Sequence, residues 1–504
     1  MAHAVATEAV STSRDGPVGC YAMSSHVDPP CVVALSNHPQ LFLDEHTIGR
    51  INNLARRVQH PAKFVGNPIL TAEHPWEQRH LYRPSVIYEP DLGRFRMHYT
   101  TIDRPTPEAP KGISAKCYAE SEDGFHWHKP LTNAFPFDDR PSNIVAGGPA
   151  HGIRTPLDPQ RPYVAVLQKV GLGTAFSDRG IAVASSTDGL AWRVERRITD
   201  TKCDTVPSIV WHEPVGKYFV YTRAQARHPK LDGHLRVTGV MESHDFEHWT
   251  PKQAVNLITE AEGFPYVQAH ALTAHAYGDV LVAEVPLFYL EEPGNNFLCR
   301  CDIQLATSRD GWHWDRVAGG QVFLPHGPDD WDRWYVHSTS MTRKDDTLYF
   351  FYNGRPQKHG ALRQLREQGA TVDTQGPESM IGVATLPADR FAALELRDTT
   401  QPGIIDTPPV RFNGRELLIN AAIDPDNLQV ELIDEQGPTV QFQSKPLPGF
   451  EAEHARLVRH DALRFRVVWS IAGTERSLGD APHDRPLIIR FQLRRGQLFA
   501  FQIQ

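Results

Sequence analysis

The chain has 504 residues, of which 40% are hydrophobic and 22% are charged, a composition typical of globular proteins with two or three domains. Its formal net charge of −8 at pH 7 argues against a nucleic-acid-binding surface, because such surfaces are rich in Lys and Arg. No run of 18 apolar residues occurs in it, which excludes a membrane-spanning helix.

Residues 1–36 are predicted to form a flexible N-terminal tail. The opening stretch MAHAVATEAVSTSRDG lacks the basic start and apolar core of a signal peptide. The six cysteines are scattered and form no Cys-x-x-Cys pair, so we expect structural thiols. These observations predict a cytoplasmic location.

Five β-hairpins are predicted between residues 37 and 397. Each is a β-rich run, a polar turn containing Gly, Pro or Asp, and a second run rich in Tyr, Phe and Val. Five such sheets arranged radially make a five-bladed β-propeller. The hairpins begin near Arg83, Ile153, Val206, Leu272 and Ser338.

One short turn recurs four times in this region, as SEDGFHW, STDGLAW, SHDFEHW and SRDGWHW. Its Ser and Asp side chains can bond backbone amides within the turn, and Gly permits a positive φ. The Trp can pack on a neighbouring sheet. We therefore predict a structural role for the turns, which begin at Ser121, Ser186, Ser243 and Ser308.

The composition changes from Asp398 onwards. The stretch DTTQPGIIDTPPVRFNG is rich in Pro, Gly and Thr and indicates a linker. Strand-like runs with regular turns follow, among them ELLINAAI, LQVELID and ALRFRVVW, and they predict an antiparallel β-sandwich over residues 398–504. The predicted fold is all-β, with a five-bladed β-propeller followed by a C-terminal β-sandwich.

Candidate site residues stand where the first strand of each hairpin begins. In a propeller these strands line a central funnel, and two carboxylates in such a funnel can divide the acid and base duties of glycoside hydrolysis. Aromatic rings there can stack on sugar faces. The candidates are Tyr82, Arg83, His151, Asp204, Glu262, Tyr266, Gln268, His270, Trp331, Asp332 and His337.

These features resemble the five-bladed glycosidase propellers of glycoside hydrolase families 32, 43 and 68, with the C-terminal β-sandwich of family 32. The resemblance spans roughly residues 41–504 and rests on the repeated turns, the hairpins and the closing phrase GVATLPADRF. The chain is also similar to bacterial relatives of that group that carry a phrase like LFLDEHTI and a Trp-Asp pair near HSTS. The resemblance implies hydrolysis of a terminal or small sugar, such as a fructoside or arabinoside.

The resemblance also assigns roles to individual residues. Asp204 stands where family 32 has its stabilising aspartate, and Glu262, in Glu-Gly-Phe-Pro, is close to the Glu-Gly-Pro phrase of the family 43 acid. The first-blade aspartate of these families is replaced by Arg83, a permanently protonated donor that cannot act as nucleophile or base. The base would then be one of Asp332, Asp103, Asp44, His151, His270 and His337.

Three functions stay open. A glycosidase would use Glu262 as acid, Asp204 as stabiliser and Asp332 or a histidine as base, with the other candidates binding the sugar and no metal or cofactor. Arg83 favours a second function, that of a non-catalytic carbohydrate-binding propeller. Its guanidinium group can bind the carboxylate or sulfate of an acidic sugar, or it can form a salt bridge to an Asp in the channel. A scaffold for protein partners is less favoured. Neither nucleic acid nor membrane is an expected partner, and the sequence leaves the oligomeric state open.

Overall fold

The structure is a computed structural model that describes residues 32–77, 80–102, 114–145, 148–155, 157–168, 180–201, 203, 205–227, 234–293, 295–361, 364–365, 368–369, 378–434 and 445–504. These residues form 37 β-strands and seven short 3-10 helices, so the predicted all-β class is confirmed. Within them, no helix has the length and hydrophobicity needed to cross a membrane.

The first half of the chain forms strands β1 to β18. They are β1 (Val33–Ala34), β2 (Gln40–Leu41), β3 (Arg50–Asn52), β4 (Leu54–Val58), β5 (Ala62–Lys63), β6 (Leu81–Glu89), β7 (Arg94–Ile102), β8 (Ser114–Ser121), β9 (Thr132–Phe137), β10 (Arg140–Ser142), β11 (His151–Arg154), β12 (Tyr163–Gln168), β13 (Ile181–Ser186), β14 (Arg193–Thr199), β15 (Ser208–His212), β16 (Lys217–Arg227), β17 (His234–Ser243) and β18 (Gln253–Val255).

The second half continues the series. Its strands are β19 (Val267–Ala269), β20 (Thr273–Tyr277), β21 (Val280–Tyr289), β22 (Arg300–Ser308), β23 (Asp315–Arg316), β24 (Val322–Leu324), β25 (Tyr335–Lys344), β26 (Thr347–Arg355), β27 (Met380–Pro387), β28 (Ala392–Leu396), β29 (Gly403–Asp406), β30 (Val410–Arg411), β31 (Leu417–Ala422), β32 (Leu428–Asp434), β33 (Ala455–Arg459), β34 (Arg464–Ile471), β35 (Thr474–Arg476), β36 (Leu487–Leu493) and β37 (Gln497–Ile503). The 3-10 helices are Glu213–Val215, Glu260–Glu262, Val317–Gly319, Asp330–Asp332, Pro425–Asn427, Ala452–His454 and Leu478–Asp480.

All five predicted hairpins are confirmed by antiparallel pairing of β6 with β7, β11 with β12, β15 with β16, β20 with β21 and β25 with β26. The first three extend to the sheets β6–β8, β11–β14 and β15–β18. The last two belong to one ten-stranded sheet, because β22 also pairs with β25.

The first strands of the five hairpins lie beside one another. Strand β6 contacts β11, β11 contacts β15, β15 contacts β20, and β20 contacts β25. Strand β25 in turn contacts β6. Each first strand is therefore flanked by two others, and residues near their starts can meet although they are far apart in sequence.

The repeated turns have the predicted local chemistry. In the first copy, Oγ of Ser121 accepts a 2.9 Å bond from the amide of Gly124. Oδ1 of Asp123 accepts bonds of 2.8 Å from the next amides along the turn, including that of His126. The third copy has Phe246 in place of Gly, and its φ of 66° is a left-handed conformation that a residue with a Cβ rarely adopts.

Trp residues of these turns pack on the sheet of a neighbouring hairpin unit, as predicted from the sequence. The turn of the first hairpin unit reaches a strand of the last unit, β26, and thereby joins the two ends of the series. Burial of such large rings contributes substantially to stability between sheets. The ring contacts are Trp127 with Phe351 at 5.6 Å, Trp192 with His98 at 6.1 Å and Trp314 with Tyr221 at 5.4 Å.

Two further sheets share a hydrophobic core at the C-terminal end of the chain. One contains β1, β3, β29, β30, β32 and β36, and the other contains β2, β4, β28, β31, β33, β34, β35 and β37. Phe491 of the first and Phe501 of the second meet with ring centroids 5.4 Å apart, beside the fully buried Trp469.

Strand pairing crosses the predicted domain boundaries. Strands β2, β3, β4 and β28 fall within the range 37–397 predicted for the propeller, and Val33 of β1 falls within the predicted tail. All five nevertheless pair with strands of the two C-terminal sheets. The physical reason is that strand pairing satisfies backbone groups whatever the sequence distance, so composition alone does not reveal these partners.

Candidate functional site

Arg83 has an unusual backbone at the start of β6. The pairing register between β6 and β7 shifts between Tyr82 and Ser85, and φ of Arg83 is 59°. Its amide donates a 2.7 Å hydrogen bond to Oδ1 of Asn353, and its Nη1 donates a 2.6 Å bond to Oε1 of Gln168. Bulges re-aim side chains, and residues in left-handed conformations concentrate at functional sites. Arg83 therefore marks a candidate site.

Buried aromatic and imidazole rings lie beside Arg83. The rings of Tyr82 and His337 are 5.3 Å apart, and those of Tyr335 and His337 are 4.5 Å apart. The ring of His270 lies 5.5 Å from that of His337. All four side chains are buried, and they come from three different parts of the chain.

Two guanidinium groups face these rings. The Cζ of Arg83 lies 4.7 Å from the centroid of the Tyr82 ring, and that of Arg355 lies 6.0 Å from the same centroid. Arg355 is also 5.5 Å from the Tyr335 ring. Both arginines are only partly buried, so they form the accessible side of the group. We call Tyr82, Arg83, His270, Tyr335, His337 and Arg355 the Arg83 cluster.

The two histidines of the cluster are neutral at physiological pH. Burial, together with the nearby charges of Arg236 and His337, holds the pKa of His270 well below its usual value. Burial and the charge of Arg355 lower the pKa of His337 in the same way. Nδ1 of His270 is buried without a hydrogen-bond partner in the described part of the chain. A neutral imidazole of this kind can bind a hydroxyl or accept a proton.

His151 lies in a second group of buried residues. Its Nδ1 accepts a 3.3 Å bond from the amide of Ile209, and its ring is 5.9 Å from that of His275. His275 bonds Glu284 at 2.8 Å. Burial and the nearby His275 lower the pKa of His151 to about 3. The structure therefore places His151 in the packing between first strands and not in the Arg83 cluster.

Glu262 caps a 3-10 helix. Its Oε2 accepts bonds of 2.8 and 2.7 Å from the amide and hydroxyl of Thr259, and its Oε1 bonds the guanidinium of Arg316 on β23. Burial raises its pKa, but the bonds from Thr259 and Arg316 outweigh burial and hold the pKa of Glu262 below its usual value. A general acid needs the opposite shift. Glu262 does not join the Arg83 cluster, contrary to expectation.

Asp332 is a fully buried ion-pair partner. Its Oδ2 lies 2.6 Å from Nζ of Lys63 on β5 and 3.3 Å from the hydroxyl of Tyr352 on β26. The neighbouring Trp331 stacks on Tyr352 at 5.5 Å. Burial raises the pKa of Asp332. Asp332 and Trp331 thus pack against Tyr352 on β26, apart from the Arg83 cluster, and their place in a functional site stays a prediction.

The remaining predicted residues have varied positions. Gln268 is buried, where its Oε1 accepts a bond from the amide of Arg236 and its Nε2 donates to the carbonyl of Pro265. Tyr266 is 52% exposed. Asp44 forms an ion pair with Arg309 at 2.7 Å. Asp204 and Asp103 lie outside the described residues.

Sequence reasoning missed several members of this region. Asn353, Tyr335 and Arg355 lie at the ends of β25 and β26, where no local motif distinguishes them. Glu378 is a buried carboxylate whose Oε2 lies 3.1 Å from Nε2 of His80. The next residue, Ser379, contacts the Asn353 amide that also binds Arg83. Only the packing of distant strands brings these groups together.

The described residues include no group of three or more His, Cys, Asp or Glu side chains placed to hold a metal ion. The arrangement at the Arg83 cluster instead combines cationic donors, neutral imidazoles and aromatic rings. Such a set can bind polar ligands through hydrogen bonds, ring contacts and charge.

No protein-family model matches the chain, and no curated protein matches its sequence significantly. Similar solved structures include one from the GH130 family of mannoside phosphorylases, described as containing glycoside hydrolases that target β-1,2-mannosidic linkages in Candida mannan. It is 14% identical, with 66% of this chain and 95% of that chain covered and a TM-score of 0.45.

Two further structures are similar to this chain. A β-1,2-mannobiose phosphorylase from Listeria innocua is 11% identical, with 66% and 98% of the chains covered and a TM-score of 0.45. A glycosyl hydrolase from Bacteroides ovatus is 14% identical, with 66% and 95% covered and a TM-score of 0.44. Similarities this distant assign no activity to the chain. None of the three names gives family 32, 43 or 68, so that finer resemblance stays a prediction.

Proposed function

We propose that the chain is a glycosidase that acts on a terminal or small sugar bound at the Arg83 cluster. The observation that carries the proposal is the convergence of polar and aromatic side chains from separate sheets around a strained arginine. Tyr82 and Arg83 belong to β6, His337 to β25, and His270 precedes β20. Sugar sites need ring faces and well-placed donors for hydroxyl groups, and this cluster offers both.

The proposal includes a five-bladed β-propeller for the five hairpin units. Its support is the succession of contacts between first strands, in which β25 returns to β6. The contact of Trp127 with Phe351 also brings the first unit against the last one. In a propeller the starts of the first strands share one funnel, which is where the Arg83 cluster would lie.

Hydrolysis needs a proton donor for the leaving oxygen and a base for the attacking water. We assign the base to His270, because its Nδ1 is buried without a partner within the described residues. Asp204 stays the proposed electrostatic stabiliser. Glu378 replaces Glu262 as the proposed acid, since it is buried and adjoins the residues that hold Arg83.

Sugar binding without hydrolysis is the second candidate function. Arg83 stands where the resembled families have an aspartate, and a guanidinium cannot act as base. In addition, Glu262 and Asp332 are both engaged by basic side chains, those of Arg316 and Lys63. A binding protein would keep the cluster and dispense with the carboxylates.

Release of aryl alcohol from a panel of nitrophenyl glycosides, measured beside sugar binding by calorimetry, separates the two functions. The variants are His270→Gln and a control, His128→Gln, at an exposed histidine outside the cluster. Turnover that disappears in the first variant and persists in the second supports the glycosidase. Binding without turnover in the wild type supports the second function. A wild type that neither binds nor cleaves any sugar overturns both.

A further inference from the structure

The Arg355 side chain lacks acceptors for most of its hydrogen-bond donors among the described residues. It makes one hydrogen bond, 3.2 Å from Nη1 to the carbonyl oxygen of His359. Its Nε is buried and has no partner among the described residues, and none of their carboxylates forms an ion pair with it. An unpaired buried donor costs free energy, and a guanidinium is built to bind two oxygens at once. A bound ligand that carries two oxygens would supply the acceptors that the described residues do not.

Other positive charges reinforce this position. Arg83 faces the same Tyr82 ring as Arg355, and Arg236 lies 5.4 Å from the Phe288 ring, which packs on His270. The two guanidinium groups that face the Tyr82 ring carry like charges, which repel each other. A bound anion between them would convert that repulsion into attraction.

Lys116 is a further buried basic side chain near Arg83. It is buried, and its Nζ donates to Oγ1 of Thr100 at 2.7 Å and to the carbonyl of Pro149 at 3.0 Å. No carboxylate of the described residues pairs with it. Burial and the charge of Arg83 lower the pKa of Lys116 well below its usual value.

We propose that the Arg83 cluster binds the carboxylate of an acidic sugar and that Arg355 forms the ion pair with it. This inference rests on the proposed function and extends it by naming the substrate class, which is uronic acids and sugars that end in them. The guanidinium fork of Arg355 matches the two oxygens of a planar carboxylate. The neutral His270, whose Nδ1 has no partner among the described residues, remains available for a hydroxyl group of the same ring.

Calorimetric titration with paired sugars tests the proposal. Glucuronate and glucose, and galacturonate and galactose, are compared at low and high salt. In the wild type we expect the acidic member of at least one pair to bind about tenfold more tightly, because a charge-assisted bond is added. The preference should shrink at high salt, since exposed charges are screened.

Variants identify the residue responsible. Arg355→Gln should abolish the preference, so that the acidic sugar binds no more tightly than its neutral partner, and Arg355→Lys should retain only part of it. The control Arg193→Gln removes an exposed guanidinium on β14 and should leave the preference intact. If Arg355→Gln does not fold, the wild-type comparison at two salt concentrations still decides whether the protein prefers the acidic sugar.

The outcomes separate the two proposals. Equal binding of acidic and neutral sugars overturns the acidic-sugar inference and leaves the proposed function standing. Turnover of neutral glycosides that requires inorganic phosphate also overturns it, because the anion would then be phosphate. Failure to bind either class of sugar overturns the proposed function together with the inference.

Discussion

The backbone amide of Arg83 donates a 2.7 Å hydrogen bond to Oδ1 of Asn353. The same Asn353 side chain is fully buried and donates to the carbonyls of Leu81 and Met380. One amide group therefore ties the start of β6 to β26 and β27. This bond holds Arg83 in a backbone conformation that its side chain disfavours.

Replacing Asn353 by Ala should lower the free energy of unfolding by about 1–3 kcal/mol, because buried backbone groups lose their partner. Chemical denaturation measures the change, with Asn52→Ala, at an exposed position on β3, as control. Sugar binding should weaken as well, since Arg83 is released. Unchanged stability would show that Asn353 does not hold Arg83.

The carboxylates of the repeated turns should contribute to stability and not to the site. Asp310→Ala removes bonds to two backbone amides, to Ser308 and to His313 and should cost about 0.5–2 kcal/mol. Asp188→Ala should lower the free energy of unfolding by less, because its turn has Ala191 in place of His313 and so lacks the bond between the two side chains. Both variants should bind sugar as the wild type does, and a loss of binding at full stability would contradict the structural role.

The protein should lose stability as the pH is lowered, and the buried His151 should account for part of that loss. The pKa of His151 is lowered to about 3 by burial and His275, whereas in the unfolded chain it is about 6.5. Between these values the unfolded state binds the extra proton, so stability is retained above pH 6.5 and lost as pH falls.

The variant His151→Asn isolates this contribution. Asn retains an acceptor for the Ile209 amide but does not titrate. Its free energy of unfolding, measured by denaturation between about pH 6 and pH 4, should decline about 1.4 kcal/mol per pH unit less steeply than that of the wild type. Equal slopes would mean that His151 is protonated in the folded protein.

The Lys63–Asp332 pair predicts an asymmetric response to mutation. Lys63→Met leaves the fully buried carboxylate of Asp332 without its cation and should lower the free energy of unfolding by about 3–5 kcal/mol. The double variant Lys63→Met with Asp332→Leu should recover much of that loss, because no buried charge remains. A double variant that is no more stable than Lys63→Met would rule out this account of the pair.

Glu262→Gln tests whether that residue acts in stability or in catalysis. Gln can still accept the bonds from Thr259, but without the negative charge these bonds weaken and the ion pair with Arg316 is lost, which should lower stability by about 0.5–2 kcal/mol. Turnover per folded molecule should be unchanged. A loss of turnover with no change in the denaturation curve would indicate that Glu262 acts in catalysis.

The local sequence determined the hairpins and the repeated turns. Ser121 and Asp123 bond amides within their own turn, so their role depends on a few adjacent residues. Alternating apolar runs likewise predict the strands of the C-terminal sheets, since side chains alternate between the two faces of a strand. Patterns of this kind need no knowledge of distant partners.

Tertiary structure alone decided which side chains meet at the Arg83 cluster and which carboxylates are engaged elsewhere. Asn353 and Arg355 lie near Arg83 only because β26 packs beside β6, and Asp332 meets Lys63 only because β5 joins β27. Strands β2–β4 find C-terminal partners for the same reason. Pairing and packing across long sequence separations depend on the whole set of sheets, and no short stretch of residues carries that information.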